Sequence, residues 1–144
     1  SDPDAMLGRA RWSLARLEQR HRARVSLIEG AGGLLVPMPG GTWQPDWISG
    51  LRARPLIVAR AGLGTINHTL LTIEGLRVRD LEPIGVIYTQ SMKRADPSRD
   101  ANPRVVEQRS GVRTLGLLPF LGRPAVLPSD DAWLVPEFWS LLVS

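Results

Sequence analysis

The sequence predicts an α/β fold built on a mostly parallel, doubly wound sheet. Short apolar runs that end in glycine or polar residues alternate with segments of helical periodicity, which is typical of β-α-β units. Hydrophobic residues make up 43% of the 144 residues and charged residues 22%, which indicates a chain able to bury a core. Because cysteine is absent, neither disulfides nor a cysteine metal site is expected. We therefore predict a single α/β domain over residues 1–144.

The first two elements are predicted to be a helix and a buried strand. Asp2 can cap a helix and Pro3 suits its first position, and the apolar spacing that follows predicts a helix over residues 3–20. Residues 25–28, Val-Ser-Leu-Ile, have the pattern of a buried parallel strand that runs into a glycine-rich loop. Open α/β sheets bind ligands at the carboxyl ends of their strands. Glu29, which follows this run, is therefore a candidate functional residue.

The rest of the chain repeats this alternation. Further strands are predicted at residues 55–60, 84–88 and 114–118, and helices at 66–79 and 104–110. The buried stripe of the first of these helices is predicted to be Ile66, Leu70, Ile73 and Leu76. Residues 37–50 predict a loop with a short helix near 46–51, and residues 92–101 a polar loop. The aromatic tail, residues 129–144, is predicted to form one or two helical turns that dock on the sheet or on a partner subunit.

Charge and hydropathy argue against two classes of partner. The net charge is +4. The sequence pI overstates how basic the chain is, because 17 of the 18 basic residues are arginine and only Lys93 is lysine. The arginines are scattered along the chain with no aromatic interleaving, so no nucleic-acid partner is expected. No apolar run approaches the roughly 20 residues that span a bilayer, and residues 1–6 do not resemble a signal peptide. We predict a cytoplasmic protein with no membrane partner.

Two motifs give the sequence a family resemblance. Residues 28–37, Ile-Glu-Gly-Ala-Gly-Gly-Leu-Leu-Val-Pro, and residues 63–72, Leu-Gly-Thr-Ile-Asn-His-Thr-Leu-Leu-Thr, resemble dethiobiotin synthase in this order. Residues 55–60 resemble the central strand of that family, and residues 111–119 resemble its last strand and nucleotide loop. The resemblance covers about residues 2–121 and corresponds to the C-terminal part of the family's P-loop NTPase fold.

The resemblance implies a function. Dethiobiotin synthases use ATP or another nucleoside triphosphate, with Mg²⁺, to carboxylate 7,8-diaminononanoate with carbon dioxide and close the ureido ring in biotin biosynthesis. The implied metal ligand is Glu29. The implied nucleotide-binding residues are Glu29, Gly30, Ala31, Gly32, Thr89, Gln90, Pro119, Phe120 and Leu121. The implied substrate-binding residues are Gly32, Gly33, Leu63, Gly64, Thr65, Ile66 and Asn67. In this family the last five hold the substrate carboxylate of the neighbouring active site, which implies a homodimer through residues 63–79.

Each of these residues also has a purely structural interpretation. Without the motif context, Glu29 is more often a surface or capping acid than a metal ligand. Gly30 to Gly33 can be only a tight turn, and Asn67 and His68 can be only caps at a helix start. His68 is interpreted as a core-edge histidine rather than a catalytic one.

The sequence departs from the family in one major respect. It contains no G-x-x-x-x-G-K-[ST] pattern, and Lys93 lies in the loop after the third of the predicted strands, so no catalytic residue is assigned in this chain. Thr89 stands where many members have an asparagine that reads adenine, and Val126 where some have an acid near the ribose. Three explanations stay open. The chain is the C-terminal part of a longer enzyme, a subunit that works with a separate P-loop-bearing chain, or a degenerate, non-catalytic dimerising scaffold.

Overall fold

The computed structural model describes residues 2–94, 96–122 and 133–143, which form two compact units. The first unit contains the residues up to Arg54 together with Leu142 and Val143, and the second contains residues 55–141. Within the described ranges, no helix has both the length and the apolar character needed to cross a membrane. Val126 and residues 129–132 of the predicted tail lie outside the described residues.

The first unit begins with helix α1, Pro3–His21, which confirms the predicted helix. The Asp2 side chain accepts a hydrogen bond from the Asp4 backbone N–H at 3.0 Å, as expected of an N-cap. The helix ends where Arg22 adopts a left-handed conformation. No residue of α1 is fully buried, and Leu17 is 53% exposed.

The predicted strand at residues 25–28 is wrong. These residues form no strand, and Leu27 and Ile28 are 78% and 52% exposed. A strand needs a neighbour to pair with its backbone, and among the described residues no strand pairs with this run. Its apolar side chains therefore remain in contact with solvent.

The segment predicted as a loop contains a small hairpin and a helix. Strands β1, Pro37–Met38, and β2, Thr42–Trp43, pair antiparallel across a 3₁₀ turn, and α2 follows at Gln44–Gly50. The Trp43 backbone N–H donates to Asp46 Oδ2 at 2.7 Å, which satisfies a donor at the start of α2.

The second unit contains a three-stranded parallel sheet. Strands β3, Leu56–Arg60, β4, Gly85–Thr89, and β5, Thr114–Leu118, lie in the order β3-β4-β5. Helices α3, Thr65–Arg77, and α4, Asn102–Ser110, connect them and pack against each other. These elements confirm an α/β fold with a parallel sheet.

The core of this unit lies on the central strand β4. Val86, Tyr88 and Leu115 have no exposed surface, and Ile73 of α3 is 1% exposed. The predicted stripe of α3 holds for Ile73 and Leu76, whereas Ile66 and Leu70 are only half-buried. Thr65 and Thr69 are buried in their place, and their hydroxyl oxygens lie 3.4 Å apart. The hydroxyl pairing lets two polar side chains occupy the face that the apolar periodicity assigned to Ile66 and Leu70.

The tail docks on the unit's own sheet. The Leu117 N–H donates to Trp133 O, and the Val135 N–H donates to Leu115 O, so residues 133–135 run antiparallel beside β5. Helix α5, Phe138–Val143, follows, with Phe138 buried. Gly116 allows this approach, since a Cβ there would lie 2.5 Å from Trp133 O.

Candidate functional site

The candidate site lies at the carboxyl edge of the parallel sheet. Arg60 pairs with Thr89, and Thr89 pairs with Leu118, so the three strands end side by side. The loops that follow β3, β4 and β5 therefore emerge at one edge, where open α/β sheets bind ligands.

Two of the implied nucleotide-binding groups lie together at this edge. The Gln90 backbone N–H donates to Leu118 O at 2.9 Å, which holds the end of β4 against the start of the loop that contains Pro119, Phe120 and Leu121. Pro119 and Phe120 are exposed and Leu121 is half-buried. The two segments thus form one surface next to the β3 loop.

The implied substrate-binding residues Leu63 to Asn67 form the turn into α3. Gly64 has φ +88°, a left-handed conformation that favours glycine, and α3 begins at Thr65. The Thr65 N–H donates to Gly62 O and the His68 N–H to Gly64 O. Among the described residues, the backbone N–H groups of Gly64, Ile66 and Asn67 have no hydrogen-bond partner. Open N–H groups at a helix start are donors for an anion.

The loop after β4 contacts this turn through side chains that the sequence analysis did not identify. Asp96 Oδ2 accepts a hydrogen bond from the Leu63 N–H at 3.3 Å, and buried Asn102 donates through Nδ2 to Gly62 O at 3.1 Å. Asn102 also donates to Ser98 Oγ at 2.9 Å. The sequence signal was available, because Asp96-Pro97-Ser98 is a turn-forming pattern in which the side chain bonds its own backbone two residues on.

Asp96 is held as a carboxylate by these contacts. Hydrogen bonds from the Ser98 hydroxyl and the Ser98 backbone N–H, with a smaller contribution from the Leu63 N–H, hold the pKa of Asp96 below its usual value. Hydrogen bonds to a charged acceptor are shorter and stronger than those between neutral groups. The loop after β4 therefore presents a fixed acceptor to the turn before α3.

Gln90 is itself fixed by the same loop. Its Nε2 donates to Met92 O at 2.9 Å and to Lys93 O at 3.3 Å, and its Oε1 accepts from Arg99 at 2.9 Å. The side-chain amide is thus fully engaged within the loop. Lys93, the only lysine, is exposed there.

A groove of about 150 Å³ lies between β3 and α3. Its polar lining comes from Arg60, Thr65, His68, Thr69 and Thr72. His68 is exposed, which differs from the core-edge position considered for it from the sequence.

The glycine-rich loop that contains Glu29 belongs to the first unit. Glu29 is exposed, as are Gly30, Ala31, Gly32 and Gly33. Gly32 has φ +74°, a conformation that favours glycine, whereas a Cβ on Gly30 would meet only the end of the flexible Gln44 side chain, 2.6 Å away. Among the described residues, no group of three or more His, Asp and Glu side chains could hold a metal ion.

Comparison with known proteins identifies the family. The family model described as an AAA domain matches residues 5–123. The chain belongs to this family. Its match covers the second unit's sheet through β5 as well as most of the first unit.

Comparison with curated proteins indicates a narrower group of relatives than the family model does. The chain is 47% identical over 112 residues to the ATP-dependent dethiobiotin synthetase BioD of Rhizorhabdus wittichii, which covers 78% of this chain and 48% of the relative. It is 41% identical over 104 residues to the protein of the same name from Anaeromyxobacter sp. strain K, covering 72% of this chain and 46% of the relative. It is 40% identical over 125 residues to the biotin biosynthesis bifunctional protein BioCD of Bordetella avium, covering 87% of this chain and 24% of the relative.

These matches confirm the resemblance to dethiobiotin synthases. The chain spans about half the length of the single-function relatives and about a quarter of the bifunctional one.

Proposed function

We propose that this chain supplies the substrate-binding part of an enzyme that forms dethiobiotin from 7,8-diaminononanoate, carbon dioxide and ATP. Two of the relatives described above are named ATP-dependent dethiobiotin synthetases, which supports this choice. The single observation that carries it is the turn into α3, where the N–H groups of Gly64, Ile66 and Asn67 are open. The substrate has one carboxylate, and a helix start with open amides stabilises such a charge.

The proposed reaction has three steps, in which a phosphoryl transfer lies between two attacks by amine nitrogens of the substrate. One amine of the substrate attacks carbon dioxide and loses a proton to give a carbamate. A carbamate oxygen then takes the terminal phosphoryl group of ATP, and ADP leaves. The second amine attacks the carbonyl carbon of this mixed anhydride, phosphate leaves, and loss of a proton completes the ring. Such reactions depend on positioning and charge neutralisation rather than on a nucleophile from the protein. The role proposed for this chain is accordingly to orient the diamine and the nucleotide.

The nucleotide is proposed to bind beside the ends of β4 and β5. Thr89 is half-buried at the end of β4, and Phe120 is 37% exposed in the loop after β5. A hydroxyl can pair with one edge of a base, and an exposed ring can cover the face of a base. Because the Gln90 amide is engaged within its own loop, Thr89 is proposed as the residue of the two that contacts the base.

Glu29 is proposed to contribute one ligand to Mg²⁺. The Glu29 carboxylate makes no hydrogen bond or ion pair with the described residues and is exposed, so both oxygens are available. Magnesium is commonly held by one or two carboxylates together with water and substrate phosphates. A single open carboxylate fits that mode, in which the bound ion neutralises phosphate charge.

A homodimer through residues 63–79 is part of the proposal. Leu63, Leu71 and Val78 lie on and beside one helix and are 86%, 58% and 81% exposed. Burial of these side chains against a second copy would place each α3 start at the interface. The open N–H groups of one copy would then serve the substrate of the other.

Complementation tests the proposal. The purified 144-residue chain is expected to form no dethiobiotin alone, because its sequence has no phosphate-binding G-x-x-x-x-G-K-[ST] motif. It is expected to do so when co-expressed with the stretch of the Rhizorhabdus wittichii synthetase that it does not match. Glu29→Gln in that assembly is expected to lower turnover by about 100-fold.

The matched control for Glu29→Gln is Glu18→Gln in the same unit, which keeps an acceptor for the Ser26 hydroxyl and leaves turnover unchanged. Turnover by the chain alone would contradict the mechanism, and normal turnover by Glu29→Gln would remove Glu29 as a ligand.

The second candidate function is a non-catalytic dimerising scaffold. The exposed apolar side chains of α3 favour it, because they fit a dimer whether or not substrate binds. It predicts a stable dimer without nucleotide affinity. Binding of ATP or CTP with Mg²⁺ to the complemented assembly, measured by calorimetry, would exclude it.

A further inference from the structure

We propose that Asp96 and Asn102 are positioning residues that clamp the Gly62–Leu63 peptide and thereby aim the open N–H groups before and within the first turn of α3 at a carboxylate. The inference rests on the proposed function, in which this turn receives the substrate carboxylate. It also removes the Leu63 N–H from the groups expected to contact the substrate, because that N–H already donates to Asp96.

The clamp acts on both sides of one peptide group. Asn102 Nδ2 donates to the carbonyl oxygen of Gly62, and Asp96 Oδ2 accepts from the N–H of Leu63. A peptide group is planar, so fixing its oxygen and its N–H fixes its orientation. The next residue, Gly64, has φ +88° and is the most permissive position in the turn. Without the clamp, the turn loses the contacts that select one of the conformations open to glycine.

The clamp is itself rigidly supported. Asn102 is 7% exposed and lies in the first turn of α4, and it donates a second hydrogen bond to Ser98 Oγ. Ser98 donates from both its hydroxyl and its backbone N–H to Asp96 Oδ1. The Asp96 oxygens are therefore divided, with one used by Ser98 and the other by Leu63.

The hydrogen-bond pattern decides which amides remain for a ligand. The Leu63 N–H is taken by Asp96, and the Thr65 N–H by Gly62 O. Gly64, Ile66 and Asn67 retain open N–H groups, whereas Leu63 and Thr65 do not. We therefore expect a substrate carboxylate to contact Gly64, Ile66 and Asn67.

Amide hydrogen exchange of the full 144-residue chain tests the clamp without any ligand. Asp96→Ala is expected to speed exchange at Leu63 by about tenfold, because the hydrogen bond that protects its N–H is lost. Asp96→Asn keeps one acceptor oxygen but replaces the other with an N–H donor, so it can accept from Leu63 or from Ser98 but not from both, and it is expected to restore only part of the protection. Asp100→Ala is the matched control, since Asp100 lies in the same loop and, among the described residues, its carboxylate pairs only with Arg99. Exchange at Val86 and Leu115 reports whether a variant is folded.

Ligand binding provides the readout that a purely structural role would not move. On addition of 7,8-diaminononanoate, the amide resonances of Gly64, Ile66 and Asn67 are expected to shift more than those of Leu63 and Thr65. Asp96→Ala is expected to weaken this binding by about tenfold, with Asp96→Asn between that variant and wild type. If Asp96 instead acted only by repelling the substrate carboxylate through its negative charge, removal of its side chain would tighten binding.

The outcomes separate the two proposals. If the wild-type amides do not respond to the diamine, the proposed function fails while Leu63 exchange still tests the clamp. Unchanged Leu63 exchange in Asp96→Ala overturns the clamp. So does equal or tighter diamine binding by Asp96→Ala in a chain whose core exchange is normal.

Discussion

Two apolar runs of similar composition have different fates in this molecule. Residues 25–28 and strand β3, Leu56–Arg60, both follow charged or turn-forming segments and both lead into glycine-containing loops. β3 pairs over its whole length with β4, whereas the described residues provide no partner for 25–28. Ile57 is 9% exposed and Leu27 is 78% exposed. An apolar run therefore becomes a buried strand only where a neighbouring strand is present to satisfy its backbone.

The same contrast divides the candidate site residues. Those after β3, β4 and β5 are held in place by a paired sheet and by the side chains of Asp96 and Asn102. Glu29 follows the unpaired run, and its side chain makes no hydrogen bond or ion pair with the described residues. Substitutions should therefore have unequal effects in the two regions.

The largest difference is expected for leucine truncation. Leu115→Ala in β5 should lower the free energy of unfolding by about 3 kcal/mol, because Leu115 is completely buried and its loss leaves a cavity. Leu27→Ala should change it by less than about 0.5 kcal/mol, since Leu27 is already exposed. Urea unfolding of both variants measures the difference. Comparable losses in the two variants would mean that residues 25–28 are packed in solution.

A smaller difference is expected for glycine. A Cβ on Gly85 of β4 would lie 2.4 Å from Leu115 Cγ and 2.9 Å from Arg113 O, so Gly85→Ala should cost about 2 kcal/mol through overpacking. Gly33 follows the unpaired run, and no atom lies within 4 Å of a Cβ there. Gly33→Ala should leave the thermal midpoint within about 2 °C of wild type. A loss at Gly33 as large as at Gly85 would show that this loop is more closely packed than its exposure indicates.

The smallest effect is expected at Tyr88, and it has the opposite sign. Its hydroxyl is buried in β4 without a hydrogen-bond partner among the described residues, so Tyr88→Phe should stabilise the protein by about 1 kcal/mol. Val86→Ala, on the same strand, should destabilise it and serves as the control. A destabilised Tyr88→Phe variant would mean that the hydroxyl has a partner in solution.

Tyr88 also predicts a pH dependence. Burial, with a smaller contribution from the charge of Glu107, raises the pKa of Tyr88 to about 12 from the reference value of 10.0. Since the folded state binds this proton more tightly, its contribution to stability is complete below pH 10 and is lost as the pH rises through 12. The stability advantage of Tyr88→Phe over wild type should therefore grow between pH 10 and 12. Unfolding curves across that range measure the shift, and a constant difference would contradict it.

Local patterns were sufficient to predict most of the elements. Asp2 and Pro3 predicted the start of α1, and the alternation of apolar runs with helical segments predicted β3 to β5 with α3 and α4. Pairing partners could not be predicted, which is why residues 25–28 were assigned a strand. The Thr65 and Thr69 pair was missed because a hydrophobic stripe does not reveal buried hydroxyls that satisfy each other.

The residues of the candidate site were predicted by resemblance to the family. The side chains that hold this site in place, Asp96 and Asn102, were not predicted. The turn at Leu63 to Asn67 and the ends of β4 and β5 lie at one edge because the strands are parallel and adjacent. Asp96 and Asn102 act on this turn from more than 30 residues away in sequence, with separations of 33 and 40 residues. Such side-chain contacts depend on the packing of loops, which spacing along the chain does not determine.

The central claim is that the turn into α3 binds the carboxylate of a diamine substrate. Calorimetry on the complemented assembly tests it most directly, with 7,8-diaminononanoate compared against 2,3-diaminononane, which keeps adjacent amines and lacks the carboxylate. The acid is expected to bind at least about tenfold more tightly, since a charged hydrogen-bonding contact is lost with the carboxylate. Equal affinities for the two diamines would contradict it.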